Sequence, residues 1–221
     1  MNKSNSQFMN KLDALIQEHH MLSHPFYKAW TCGHLKQSTL MEYAKEYYHH
    51  VKAFPTYLSA VHSRSDDAQV RRLLLENLID EEAGKPNHPD LWRSFAIALG
   101  LTKQEVETHQ PESAAKKLVD TFRDICRNEP IAAGIAALYC YESQIPAICT
   151  TKIDGLKQWY GMTNPGGYHY FTVHETADVE HSRVERQLLE SMVSPEDEDA
   201  VMKSAQRVLS TLWDFLSSFK I

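Results

Sequence analysis

"IAAGIAALYCYESQIPAIC", residues 131 to 149, decides the fold class. Its small and apolar side chains fall on every side of a helix, so no face is left for water. Such a helix either lies at the centre of a bundle or spans a membrane. Ser143, Gln144 and the kink due at Pro146 weigh for the bundle, as does the lack of a second candidate span. Glu142 is the only charged residue in the stretch. Buried there, its carboxylate must be protonated, paired with Arg or Lys, or bound to a metal ion.

Outward from this stretch, hydrophobic periodicity gives helices over roughly 5–19, 25–31, 38–62, 66–83, 88–99, 112–127, 130–158, 165–192 and 195–219. No alternating strand pattern of useful length competes, and the class is all-α. Thr102 with Glu105 reads as a capping box, and Ser194-Pro195 as an N-cap and first turn. A chain of 221 residues suits one domain over 1–221. No linker or repeat divides it, and 8 glycines stand where average usage gives about 15, so turns are few and elements long.

Acidic and basic residues are interleaved to a net charge of -6, which argues against nucleic acid or an anionic membrane as partner. The opening "MNKSNSQFMNKLDALIQ" has no apolar run that would serve as a secretory signal, and the cytoplasm is the expected location. Cys32, Cys126, Cys140 and Cys149 lack C-x-x-C spacing and read as buried thiols. A symmetric homodimer, the commonest soluble assembly, is expected.

Two further loci carry buried polarity. In "HETADVEH", 174 to 181, His174, Asp178 and His181 share one helical stripe with Tyr170, Phe171, Leu188 and Met192, which makes it the core face; Glu185 falls on it too. Two imidazoles and a carboxylate removed from water are served together by a metal ion. In "LLLENLIDEEAGKPNH", 73 to 88, a helix carrying Glu81 and Glu82 breaks at Gly84-Lys85-Pro86 before His88, and periodicity does not choose between the two acids. Taken alone, this pair reads as a solvated helix end, and His88 as a surface histidine. Together, and with Glu81 standing for its pair, the loci supply Glu81, His88, Glu142, His174, Asp178 and His181. That mixture of hard oxygen and borderline nitrogen donors suits iron or manganese. Since His174 and His181 lie about 10 Å apart along an ideal helix, the set requires a local unwinding or two metals.

These residues resemble those of a known family. E-E-x-G-x-P-N-H-x-D-L-W at 81 to 92, "ALYCYESQIP" at 137 to 146 and "YFTVHETADVEH" at 170 to 181 are similar to motifs of the haem-oxygenase-like dimetal oxidases. The likeness extends to "HPFYKAW" at 24 to 30 and "AFPTYLSAVHSR" at 53 to 64. It implies a single-domain seven-helix bundle without haem, holding two ions, iron, manganese or one of each, on the six residues named above, with Glu81 preferred over Glu82. O2 and a reductant are the implied co-substrates. The nearest branch forms p-aminobenzoate for folate synthesis and is understood to consume its own side chains. By that resemblance Tyr27, cleaved between Cα and Cβ, supplies the ring and Lys152 the amino group.

Read without the resemblance, Tyr27 is a partly buried packing tyrosine on a short helix, and Lys152 is an ordinary lysine beyond the buried run. Tyr43, Tyr47, His50 and Phe54 share one stripe of the 38–62 helix and read as core. Tyr43 and Tyr141 are carried as radical or hydrogen-bonding neighbours. Two other readings keep the fold: a quinone-forming oxidase or thiamin-degrading hydrolase acting on an external small molecule, or an interaction module, since a branch of the family is named for association with death domains.

Overall fold

The computed structural model describes residues 3–221, so the first two residues of the domain expected over 1–221 lie outside it. Among the described residues there are no strands. The α-helices are α1 (Lys3–Glu18), α2 (Pro25–Thr31), α3 (Gln37–Arg64), α4 (Ala68–Glu82), α5 (His88–Ala98), α6 (Lys103–Thr108), α7 (Ser113–Asn128), α8 (Ile131–Glu142), α9 (Ile145–Trp159), α10 (His169–Met192) and α11 (Glu198–Ser217). The long helices form the expected bundle around one contiguous core. Helix α8 is central, flanked by α7, α10 and α11, while α3 packs on α4, α5 and α7. Of the twelve residues of α8 only Ile131 is not fully buried, as its all-round apolar pattern requires. No helix among the described residues is long and apolar enough to cross a membrane.

Helix starts follow local chemistry. Asp67 accepts from the Gln69 and Val70 backbone N–H groups, Asn87 from that of Asp90, and Thr102 with Glu105 forms the capping box. That box opens α6, a short helix that periodicity had not shown. The helix expected over 130–158 is two. Pro146 has no N–H for the Glu142 carbonyl, and its ring crowds the preceding turn, so α8 stops at Glu142. Gln144 seals the break: its amide donates to the Cys140 carbonyl at 2.7 Å and accepts the Met21 N–H at 2.8 Å. The element expected over 165–192 likewise begins with a separate 3-10 turn, Pro165–Gly167, before α10.

At Gly155, α9 meets α2. An added Cβ would lie 2.6 Å from Trp30 Cδ1 and 3.2 Å from its backbone oxygen. Trp30 is fully buried, and its indole N–H donates to the Lys152 carbonyl at 3.3 Å, so it has no free direction in which to yield. Alanine in place of a helical glycine normally gains about 1 kcal/mol, whereas overpacking a core contact costs about 1–3 kcal/mol. Gly155→Ala should therefore reduce the unfolding free energy by up to about 2 kcal/mol in urea denaturation. A stabilised variant would show that the α2–α9 contact is slack.

Candidate metal centre

Four helices bring the six polar residues together. Glu81 sits in the last turn of α4, His88 opens α5 beyond the turn at Gly84 and Pro86, Glu142 ends α8, and His174, Asp178 and His181 line the inner stripe of α10. All six are 1–7% exposed, whereas Glu82 points to solvent. They fall into two groups whose potential ligand atoms lie within 4.8 Å of one another: Glu81, His88 and His174 in one, Glu142, Asp178 and His181 in the other. His174 and His181 thus belong to different groups, and α10 spans both without unwinding. Asp178 joins them, since both of its oxygens lie 3.1 Å from His174 Nδ1.

The donor set fits metal ions on one specific observation. His88 Nδ1 is 2.9 Å from Glu81 Oε2, and His181 Nδ1 is 3.3 Å from Glu142 Oε1, yet neither nitrogen has a hydrogen-bond partner, nor has His174 Nε2. Donor atoms that crowd together without aligning on each other are directed at a shared point, as ligands are. Burial works against a charged His181, but the negative charge of Asp178 and Glu142 beside it outweighs burial and raises its pKa to about 11. The field of the buried carboxylates thus attracts positive charge strongly.

Residues outside the six complete the group. Asn77, one turn before Glu81, donates its amide N–H to both Glu142 oxygens at 3.0 and 3.3 Å. Asp80 lies 3.1 Å from His181 Nε2, which orients the ring from its far side. Asn77 shares the Leu74 and Glu81 stripe, a signal the sequence did carry; exposed Asp80 left none. Glu185 is buried as its stripe position indicated, and burial, with Glu142 and Asp178 nearby, raises its pKa well above the carboxylate range. A third group, Glu42, Glu46 and His109, lies nearer the surface, where Glu46 is engaged by His109 and the Glu112 N–H.

Tyr27 and Lys152 form a second cluster. The tyrosine is 2% exposed and the lysine 3%, so the partial burial expected of Tyr27 is corrected, and Lys152 is a buried lysine rather than an ordinary one beyond the buried run. Aromatic residues from α2, α3, α5 and α10, which local sequence around either residue does not reveal, enclose them. Lys152 Nζ donates to Tyr43 OH at 2.8 Å and lies 5.5 Å from the Tyr27 ring centroid. No carboxylate among the described residues pairs with it, and burial lowers its pKa to about 8.

The clusters are connected. Tyr27 and Tyr43 hydroxyls lie 3.4 Å apart, the Tyr43 and Tyr47 rings stack with centroids at 5.3 Å, and Tyr47 and Tyr141 share a 2.7 Å hydrogen bond. Tyr141 faces the same small space as Glu81, Glu142 and His174. Tyr47, read from sequence as core, is the link between the two tyrosines singled out there.

Comparison with known proteins agrees with this architecture. The family described as iron-containing redox enzymes matches residues 41–213. A 4-aminobenzoate synthase of Chlamydia muridarum is 53% identical over 96% of this chain and 89% of its own. One of Nitrosomonas europaea is 45% identical over 95% and 89%. A solved domain from Shewanella denitrificans with a heme oxygenase-like fold superposes with a TM-score of 0.77 at 16% identity, covering 98% of this chain and 90% of that one.

The enclosed amine has a thermodynamic consequence. The folded chain releases the Lys152 proton near pH 8 and the unfolded chain near 10.5, so between these values the unfolded chain binds more protons and stability rises with pH. Below pH 8 the buried ammonium costs about 3 kcal/mol, offset by about 1 kcal/mol from its bond to Tyr43. Lys152→Met should accordingly raise stability at pH 7 by about 2 kcal/mol, an advantage that shrinks towards pH 10.5. Paired urea titrations from pH 6 to 10 measure the difference, and a constant difference across that range would refute the assignment.

Proposed function

The chain belongs to the family of iron-containing redox enzymes, and from that premise we propose that it forms 4-aminobenzoate for folate synthesis, taking the ring from its own Tyr27 and the nitrogen from Lys152. In this reading Glu81, His88 and His174 hold one metal ion and Glu142, Asp178 and His181 the other, as iron, manganese or one of each. Bound there, the pair supplies oxidising equivalents by reducing O2 with electrons from an external donor. The cytoplasm and a homodimer complete the reading; a single species of monomer mass in sedimentation would remove the dimer.

The chemical demand matches the residues. The product needs a benzene ring with one attached carbon and a nitrogen para to it. A tyrosine side chain provides the ring, that carbon as Cβ, and an oxygen at the para position. What remains is to break Cα–Cβ, oxidise Cβ to a carboxylate, and exchange the para oxygen for nitrogen. The observation that carries the reading is an unpaired, buried amine lying against tyrosine rings. With its pKa near 8, roughly a tenth of it is neutral at pH 7, and a neutral amine attacks an oxidised, electrophilic ring. The para oxygen then leaves as water, the ring imine isomerises to an imine between Nζ and Cε as the ring regains its aromaticity, and hydrolysis frees the aryl amine and leaves an aldehyde at Cε of Lys152.

The tyrosine chain gives the oxidation a path. Tyr141, bonded to Tyr47, passes a hydrogen atom along that bond; Tyr43, stacked on Tyr47 and beside the Tyr27 hydroxyl, carries the vacancy to the ring that reacts. Tyr43 also orients the amine through its hydroxyl. The surrounding aromatic rings keep water from the activated ring.

Two measurements test this. Protein purified from medium containing iron and manganese should hold close to two transition-metal ions per chain by elemental analysis, and His174→Ala should lose at least one of them; full occupancy in that variant would overturn the ligand assignment. Separately, protein made with ring-labelled tyrosine should release labelled 4-aminobenzoate when given metal, reductant and O2 in excess unlabelled tyrosine, with a mass loss in the peptide containing residue 27. Unlabelled product, repeated turnover, or normal product from Tyr27→Phe would return the chain to oxidases that act on an external substrate.

A further inference from the structure

Glu185 has no role in the centre described above. It is 2% exposed, and neither carboxylate oxygen has a hydrogen-bond partner. No lysine, arginine or histidine among the described residues forms an ion pair with it, and the acidic groups that act on it are the carboxylates of Glu142 and, less strongly, Asp178. A carboxylate removed from water normally finds a donor or a cation, because leaving it alone costs several kcal/mol. On α10 it continues the stripe of Asp178 and His181, one turn beyond the histidine.

Glu185 also borders a way in from solvent. Between α4 and α10 runs a cleft of about 140 Å³, lined by Leu74, Asn77, Asp80, His181, Val184 and Glu185 among others. Asp80, with a side chain 58% exposed, marks the outer part of this route, and it lies 3.1 Å from His181 Nε2. The cleft therefore runs from an exposed carboxylate past a ligand-bearing histidine to a buried carboxylate with free oxygens. Glu76 and Glu180, both exposed, also line it; of its acids Glu185 alone is buried, beside His181. The group formed by Glu81, His88 and His174 has no equivalent: His174 alone among its members belongs to α10, and none of the three lines the cleft.

We propose that Glu185 is an additional metal-binding carboxylate that receives a divalent cation from the α4–α10 cleft and shares it with Glu142, Asp178 and His181. The inference rests on the assignment of those three residues as ligands. It makes that group rich in oxygen, three carboxylates to one imidazole, against one carboxylate and two imidazoles in the other. The two positions are then unequal, and the oxygen-rich one favours the harder ion.

The test is titration of the metal-stripped full chain with Co(II), followed by its visible absorption and by isothermal calorimetry, for the unaltered protein, Glu142→Gln, Glu185→Gln and Asp80→Asn. Glutamine keeps the size of the side chain and removes the anion. Glu185→Gln should weaken binding of one of the two ions by about 10–100-fold and leave the other unchanged. Asp80→Asn should slow loading of that same ion in stopped-flow mixing. If the unaltered protein takes up two ions and Glu185→Gln takes up both with unchanged affinity and rate, Glu185 is a neutral buried acid and the proposal is wrong, while the ligand assignment stands. If the unaltered protein binds no ion that Glu142→Gln abolishes, the ligand assignment itself fails. Circular dichroism checks the fold of each variant; should Glu185→Gln not fold, Glu185→Leu replaces it, with the same loss required.

Discussion

The structure depends on keeping anionic charge out of water at one junction of four helices. Glu81, Glu142 and Asp178 are buried within the reach of three imidazoles, and no arginine or lysine among the described residues pairs with them. Isolated carboxylates in such surroundings would be too costly for a domain whose net stability is about 5–15 kcal/mol. Positive charge must come from protons on the histidines or from metal ions. The first is what the raised His181 expresses, and the second adds binding free energy to folding free energy. Helices α4, α5, α8 and α10 are thereby held by a charge balance as well as by apolar packing.

The same core contains the opposite problem and solves it differently. Lys152 is a buried potential cation, yet none of the buried carboxylates approaches it. It is enclosed by rings whose faces are weakly attractive to a cation, and it donates a hydrogen bond to a phenol. An ion pair with an acid would have kept its proton firmly in place. Aromatic surroundings instead let the proton leave near neutral pH, and the amine becomes a nucleophile. Separating lysine from carboxylate thus preserves two reactivities that pairing would cancel. The tyrosines between them are neutral at any ordinary pH, since burial raises Tyr43, Tyr47 and Tyr141 well above their usual range.

Much of this was legible in the sequence, and the reasons differ from residue to residue. The α10 stripe could be read because four polar residues at helical spacing interrupt an apolar face, a pattern that local periodicity detects. Glu142 was conspicuous as one charge in an apolar helix. The choice of Glu81 over Glu82 was not available locally, because α4 turns both acids near the boundary of its buried face. Nor could the burial of Lys152 be read from "CTTKIDGLK", since Trp30, Tyr43, Trp92 and Phe171 reach it from elements far apart in the chain. Asp80 and Tyr47 were missed for the same reason, their significance residing in partners, His181 and Tyr141, that only the tertiary fold supplies. The break after Glu142 was foreshadowed by Pro146, but the extent of it depends on Gln144 reaching both the Cys140 carbonyl and the Met21 amide.

Packing bears directly on where a substrate ring would come from. Enzymes acting on an aromatic metabolite hold it in a cavity of about 300 Å³ or more. The clefts of about 420, 460 and 330 Å³ lie around Glu42 and Lys220, around Thr56 and Arg127, and around Trp213 and Asp214, and none of the three includes Tyr27 or Lys152. Around the amine the volume is already filled by rings of the chain itself, with Tyr27 among them. An external ring would have to displace one of these, at the cost of several kcal/mol for an emptied aromatic site. A ring belonging to the chain incurs no such cost, and it arrives oriented by folding rather than by binding. In the proposed reading, a reactant supplied from the core would convert packing energy into the positioning that other enzymes obtain from a substrate pocket.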